Sequence, residues 1–374
     1  MDLEREERHY LEERYRDDDG ERSRAMSAYY ALKPLMPRRL QIAMRRAYAK
    51  RQAAAEFPRW PIEPLLVERR QAELRTEAEE RRGPVPLIAD WPGGHGFAAV
   101  LTHDVEGPSG VERVREVIEL ERRHGFVSSW NFVAEWYPIP AGLRDEVREA
   151  GCEVGLHSVK HDGKLFENRA TFESELPGIH RYLAEWDVDG FRSPATHRNA
   201  AWMPELGARY DSSFPDTDPF EPQGGGCCSV LPFFLDDMVE LPITLVQDHT
   251  LWEILRRDTI DLWREKSEWL AANGGLVNII IHPDYLDTPA RMRMYEEYLE
   301  HLADLCRRHH GWAALPREVA DWWRLRAGLS CVETAVGARL EGPGADRAAL
   351  VWAEPDGEGI ALRPDRATAV EEVR

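Results

Sequence analysis

Between residues 85 and 328, short apolar runs alternate with longer amphipathic ones, and this alternation restricts the fold more than any other feature of the chain. GFAAVLTHD (96–104), FVSSWNFVA (126–134), CEVGLH (152–157) and GLVNIIIHPDYL (275–286) are short and nearly continuous in apolar residues, and read as buried strands. DGFRSP (189–194) reads as a strand passing into a loop. Between them, VERVREVIELERRHG (111–125), LRDEVREAG (143–151), FESELPGIHRYLAEWD (172–187) and RMRMYEEYLEHLADLCRRHHG (291–311) repeat their apolar residues at helical spacing, and several stop at a glycine. Residues 312–328 read as a last strand and helix. Strand–helix alternation predicts an α/β domain with a parallel sheet, whose functional side chains gather at the C-terminal ends of the strands.

The flanks have a different texture. Residues 1–84 form an expected helical extension and linker. Its first 24 residues are a charge run, which reads as a solvated or frayed helix. Residues 25–55 contain no acid, and after Pro37 the residues Leu40, Ala43, Met44 and Ala47 recur at helical spacing. That amphipathic helix has two readings: its apolar stripe packs on the main domain, or the basic segment 33–51 touches an anionic membrane or a partner. FPRWPIEP (57–64) is a proline-rich linker before a polar helix at 66–82. At the other end, CVETAVGARL, AALVWAE and GIALRP are separated by the turn signals EGPGAD and EPDGEG, so 329–374 is expected to be a small antiparallel β unit.

Asp and Glu number 67 against 48 Lys and Arg, a formal charge of −19. A phosphate backbone needs a basic footprint, so nucleic acid is not an expected partner. No run of 18 or more apolar residues occurs, and the charged N-terminus lacks the apolar core of a secretory leader. The expected location is therefore cytoplasmic; peripheral contact at the inner membrane face belongs to the second of the two readings of 33–51. Five cysteines, two of them adjacent, do not form a disulfide framework.

Five polar clusters stand at or near the strand ends. In GLHSVKHDG (155–163), His157 and His161 lie four apart, a spacing that aims two imidazoles at one ion; Ser158 stands where a metalloprotease would carry its general-base Glu. In THDVEGP (102–108), Asp104 and Glu106 share one face of a strand, so one carboxylate can complete a facial metal site while the other takes a proton from water. Arg192, in FRSPATHRN, would keep such a carboxylate ionised and oriented. Asp211, in RYDSSFPDTD, could orient a histidine, with Asp216 and Asp218 as competing candidates. His282 ends the most apolar strand and is placed to serve as a general acid. Trp130, Trp136, Tyr137, Trp202 and Phe214 follow strand ends, where aromatic rings either stack on sugars or fill the core.

In this order the clusters resemble the polysaccharide deacetylase family, the NodB-type domain of carbohydrate esterase family 4. His157-Ser158-Val159-Lys160-His161 is similar to the family's H-S/T-x-x-H motif, GCEVGLH to its lead-in, FRSPA to its Arg-x-Pro motif and IIIHP to its final histidine motif. The resemblance covers roughly 90–328. The first motif departs from the common T-F-D-D and resembles an Asp-x-Asp/Glu branch; the Asp-Trp of the fourth motif is absent. The resemblance implies a distorted (β/α)7-type barrel over 85–328. It also implies a metal-dependent N-deacetylase of an amino-sugar-containing saccharide, with zinc as the expected divalent ion. On that pattern Glu106, His157 and His161 would be ligands, Asp104 the base oriented by Arg192, and His282 the acid with Asp211 as its orienter; the exchange of roles between Asp104 and Glu106 stays open. Another C–N hydrolase on the same scaffold, such as a sugar deformylase or an allantoinase-like enzyme, and a non-catalytic carbohydrate-binding protein are the alternatives. Without a leader, the expected substrate is lipid-linked or nucleotide-linked rather than an extracellular polymer.

Overall fold

A computed structural model describes residues 3–16, 36–335, 337–357 and 359–365. The N-terminal part contributes α1 (Leu3–Leu11), α2 (Arg38–Gln52) and α3 (Leu65–Arg81). After β1 (Val85–Ile88) comes the expected alternation: β2 (Phe97–Val105), α4 (Pro108–Arg123), β3 (Ser129–Phe132), α5 (Leu143–Glu149), β4 (Glu153–Leu156), α6 (Arg169–Trp186), β5 (Gly190–Phe191) and β6 (Tyr210–Asp211). A hairpin, β7 (Phe233–Leu235) and β8 (Met238–Glu240), precedes α7 (Asp261–Ala272), β9 (Leu276–Ile281), α8 (Pro289–His309), β10 (Gly311–Ala313) and α9 (Pro316–Ala327). The chain then forms β11 (Ser330–Thr334), β12 (Gly337–Glu341), β13 (Leu350–Asp356) and β14 (Gly359–Pro364).

The large sheet runs β10-β2-β3-β4-β5-β6-β8-β7, with β9 also paired to β2. Every pairing in it is parallel except the β7–β8 hairpin. β9 aligns with β2 from Ala98 to His103 and so overlaps both the β3 and the β10 registers; β3 and β10 must therefore share the opposite edge of β2. Beyond β8, Thr244 N and Leu245 N each donate to Asn278 O of β9 at 3.1 Å, which curls the sheet back on itself. The result is a distorted (β/α) barrel, as expected.

β2 is buried along its whole length, and its two faces do different work. Leu101, His103 and Val105 alternate with Thr102 and Asp104. The outward set meets the helical layer, where Val114 and Val117 of α4 and Tyr295, Tyr298 and Leu302 of α8 complete the main apolar core. His103 belongs to this layer: its Nε2 is 2.6 Å from Glu121 of α4, and its ring stacks on Trp130 at 4.1 Å. The inward set enters a polar interior with Arg192, Ser212 and Asn278.

Some elements depart from the sequence reading. The 189–194 strand shortens to β5, and α6 starts earlier because Asn168 caps it, accepting from Thr171 N at 2.9 Å. β11 and β12 form one hairpin, while β13 and β14 are joined by β1, which pairs antiparallel with β13. α3 packs on that sheet through Ala78, so the small β layer draws on both ends of the chain. The N-terminal charge run does not stay wholly solvated: Glu13 is buried and accepts from Arg198 Nε at 2.8 Å, and Tyr15 OH donates to Gly226 O at 2.7 Å. The rest of that run, 17–24, lies outside the described residues, as do 33–35 of the basic segment. In α2 the expected packing face is reversed: Leu40, Ala43, Met44 and Ala47 point to solvent. No described helix is long and apolar enough to cross a membrane. All five cysteines are free.

Candidate metal centre

Asp104 is the next-to-last residue of β2, and Glu106 lies one residue beyond the strand. Parallel neighbours carry their own polar residues to the same end: Asn131 on β3, His157 after β4, Arg192 after β5 and His282 after β9. Ser158 adopts a left-handed backbone conformation, φ 62°, turning the chain directly after His157.

Glu106, His157 and His161 each place one ligand atom within 4.8 Å of the other two. His157 Nδ1 is 3.0 Å from Arg192 O, so it carries the proton and Nε2 keeps its lone pair for the cluster. His161 Nε2 lies 2.8 Å from Glu106 Oε1. Both Nε2 atoms are shielded from solvent, and that of His157 has no hydrogen-bond partner. Two shielded imidazole nitrogens aimed at a carboxylate oxygen make a donor set that fits a divalent ion. The backbone N–H of Glu106 donates to Asp284 at 3.0 Å, and Asp284 also accepts from Ser109 Oγ and Gly110 N, which pins the turn that carries this carboxylate.

Asp104 flanks the cluster. Its Oδ1 accepts from Asn131 Nδ2 at 2.9 Å; its Oδ2 is 3.4 Å from Arg192 Nη1 and 4.0 Å from His157 Nε2. Burial pushes this carboxyl up, but the Arg192 guanidinium, then His157 and His282, more than offset it, and it lies below the usual carboxylate range. Burial likewise opposes ionisation of Glu106, which His161 and His282 nevertheless hold well below its ordinary value. Burial lowers His157 to about 4, against the pull of Asp104.

His282 reaches the cluster from the other side, with Nε2 3.5 Å from Glu106 Oε1. Burial alone would lower it, but Asp248 and Glu106 raise it well above an ordinary histidine. Its Nδ1 is held by Asp248 Oδ1 at 2.6 Å, and its backbone N–H donates to Asp248 Oδ2 at 2.8 Å. This corrects the expectation for Asp211. The Asp211 carboxylate accepts from Ser213 Oγ at 3.0 Å and sits opposite Glu240 in the β6–β8 register. Burial, then the neighbouring Asp211, pushes Glu240 well up. Asp211 is a buried structural acid, and Asp248 occupies the orienting position. Asp248 carried a signal in the sequence: it ends the apolar run LPITLVQD (241–248), as Asp104 ends its own.

The competing candidates go elsewhere. Asp216 pairs with buried Lys266 at 2.7 Å, and Asp218 caps its own loop through Phe220 N. Cys227 and Cys228 are buried, and burial pushes both thiols up. Trp130, Tyr137 and Phe214 are core residues, and Trp202 packs against the core in part. Trp136 is 50% exposed, with its ring 6.3 Å from that of His161.

The molecule is thus a distorted (β/α) barrel with a His-His-Glu donor set at the strand ends. No protein-family model matches the chain, and no curated protein matches it either. Solved structures that it is similar to include a protein from Pseudomonas aeruginosa PAO1 described as a probable polysaccharide deacetylase, at 17% identity and TM-score 0.48, covering 64% of this chain and 94% of that one. They also include Puue allantoinase, at 16% identity and TM-score 0.47 with the same coverages. The family 4 carbohydrate esterase from Streptomyces lividans is similar at 15% identity and TM-score 0.37, covering 59% and 93%. Likeness at these levels says nothing of activity, which has to be read from the side chains.

Proposed function

We propose that this protein is a metal-dependent hydrolase of a carbon–nitrogen bond, removing an N-acyl group, in the first instance N-acetyl, from an amino-sugar-containing saccharide. One observation carries the reading: Glu106, His157 and His161 converge through solvent-shielded ring nitrogens, between a paired carboxylate and a carboxylate-bound histidine. A divalent ion held by these three residues, zinc being the expected one, supplies polarisation of an acyl carbonyl and a water of lowered pKa.

The remaining work falls to the chain. Asp104, kept ionised by Arg192 and steered by Asn131, accepts a proton from the attacking water through Oδ2, the oxygen turned to His157. Asp248 fixes His282 with Nε2 toward the pocket, where it gives a proton to the departing amine nitrogen. Water adds across the amide, the C–N bond breaks, and a carboxylic acid and an amino sugar leave. Trp136 offers an exposed ring beside His161 for a sugar face. The substrate is a soluble or membrane-presented saccharide, nucleotide- or lipid-linked, met at the cytoplasmic side.

The test is metal content by elemental analysis, wild type beside His157→Ala/His161→Ala. The expected result is about one divalent ion per chain that the variant lacks. Acetate- and formate-release assays on N-acyl amino sugars then separate deacetylase from deformylase. A protein that takes up no metal on reconstitution refutes the proposal.

A further inference from the structure

α2 is mounted with its apolar side outward. Leu40, Met44 and Tyr48, one turn apart, are 48%, 45% and 46% exposed, and Ala43 and Ala47 fill the stripe between them. The side that packs on the barrel is mostly polar. Arg45 donates to Phe220 O, Arg46 Nε to Glu253 O at 2.7 Å and Gln52 Nε2 to Glu221 O at 2.9 Å, with Ala49 buried against Phe220 and Ile254. A helix that only covered the barrel would do the opposite, because apolar surface left in water forgoes the free energy its burial gives.

Charge indicates what covers the stripe. Residues 38–52 contain six Lys and Arg and no acid, in a chain of net charge −19. Arg45 and Arg46 are committed inward, while Arg39, Lys50 and Arg51 are exposed along the stripe's flank and end. An outward row of Leu, Met and Tyr bordered by cations matches an anionic bilayer surface, into which apolar side chains sink while the cations meet headgroups. A second copy of α2 would bring like charges together. The helix also sits at the strand-end side, for its seat, Thr250–Ile254, begins two residues after Asp248.

We propose that α2 docks the protein on an anionic membrane surface through Leu40, Met44 and Tyr48, with the metal centre at the end of the barrel nearest the lipid. Docking stands on its own observations. Its consequence for substrate, a saccharide carried on a membrane-embedded lipid, rests on the hydrolase reading above.

The test is co-sedimentation of the full chain with phosphatidylglycerol-rich vesicles and with pure phosphatidylcholine vesicles. Binding to the first, absent from the second and weakened by salt, is expected. Leu40→Glu/Met44→Glu/Tyr48→Glu should abolish it with an unchanged melting temperature, because all three side chains face solvent. Should that variant not fold, Arg39→Gln/Lys50→Gln/Arg51→Gln keeps the stripe and should weaken binding by roughly a hundredfold. His157→Ala/His161→Ala should bind vesicles like wild type, which separates this proposal from failure of the metal site. No binding to the anionic vesicles overturns docking. So does binding that the stripe variant retains, or a dimer in solution that the stripe variant dissolves without any vesicle binding by the wild type.

Discussion

Gly155 on β4 lies beside Asn131 on β3, its register partner, and the absence of a side chain there leaves room for the amide that steers Asp104. A β-carbon at 155 would stand 2.1 Å from Asn131 Oδ1, whereas ordinary contact begins at 3.4 Å. The amide oxygen would have to retreat by more than an ångström. Asn131 cannot yield freely, because it is buried and its Nδ2 is held by Asp104 at 2.9 Å. Gly155→Ala therefore either overpacks the barrel or breaks a hydrogen bond to a buried carboxylate. The two routes together put the cost at about 3 kcal/mol. Asn131→Ala loses the same hydrogen bond and should cost about 2 kcal/mol, but it also removes the atom the new methyl would strike. The double variant should then be no less stable than Asn131→Ala, a coupling of about 3 kcal/mol where independent sites agree to within about 0.5 kcal/mol. Urea denaturation of the four proteins measures it, with amide hydrolysis as a parallel readout expected to fall about tenfold in both single variants. Additive losses of stability would show that Asn131 moves without resistance and that Gly155 has no part in holding Asp104.

Asp248→Asn should lower kcat by one to two orders of magnitude, roughly the weight of a general acid left without its partner, while Asp211→Asn acts mainly on melting temperature; equal kcat losses would restore Asp211 to the His282 relay. Chelation should abolish activity and zinc should restore it, checked by assay and metal titration on the same sample. Glu13→Ala leaves Arg198 buried beside its two backbone acceptors only, at an expected cost of about 3 kcal/mol read by denaturant midpoint. Burial raises Glu153 to about 7, against the pull of Tyr210 and Arg317 and with a small push from the like charge of Asp189. The folded chain then holds a proton that the unfolded chain has lost, so stability falls as pH rises from about 4.5 to 7 and the cost persists above 7. Glu153→Gln can still accept from Arg317 N and should show a shallower decline of melting temperature across that window.

The barrel was legible because its signals are local. Each buried strand is a short apolar run and each helix carries a 3.6-residue period, so Val111, Val114 and Val117 read as a packed face without knowledge of what they pack against. The convergence of Glu106, His157 and His161 was nearly as legible: parallel strands deliver their terminal residues to one end, so the three needed only the right strands in the right direction. What stayed hidden depends on register and on polar burial. Asp211 and Asp248 both stand at or just after short buried segments, and only the pairing of β6 with β8 sets Asp211 against Glu240 and leaves His282 to Asp248.

The N-terminal extension shows the same limit from the other direction. Periodicity placed Leu40, Ala43, Met44 and Ala47 on one face of a helix, and an apolar stripe bears no mark that tells core from bilayer. The choice is made by the arginines. Arg45 and Arg46 find backbone carbonyls and Glu253 on the barrel, partners that no apolar side chain could satisfy, and their spacing from the stripe obliges it to turn away. An extension that only had to cover the barrel would need no such arginines. In an acidic chain, inward cations that seat the helix and outward cations that border an apolar stripe make one arrangement, in which the way α2 is held determines what it presents.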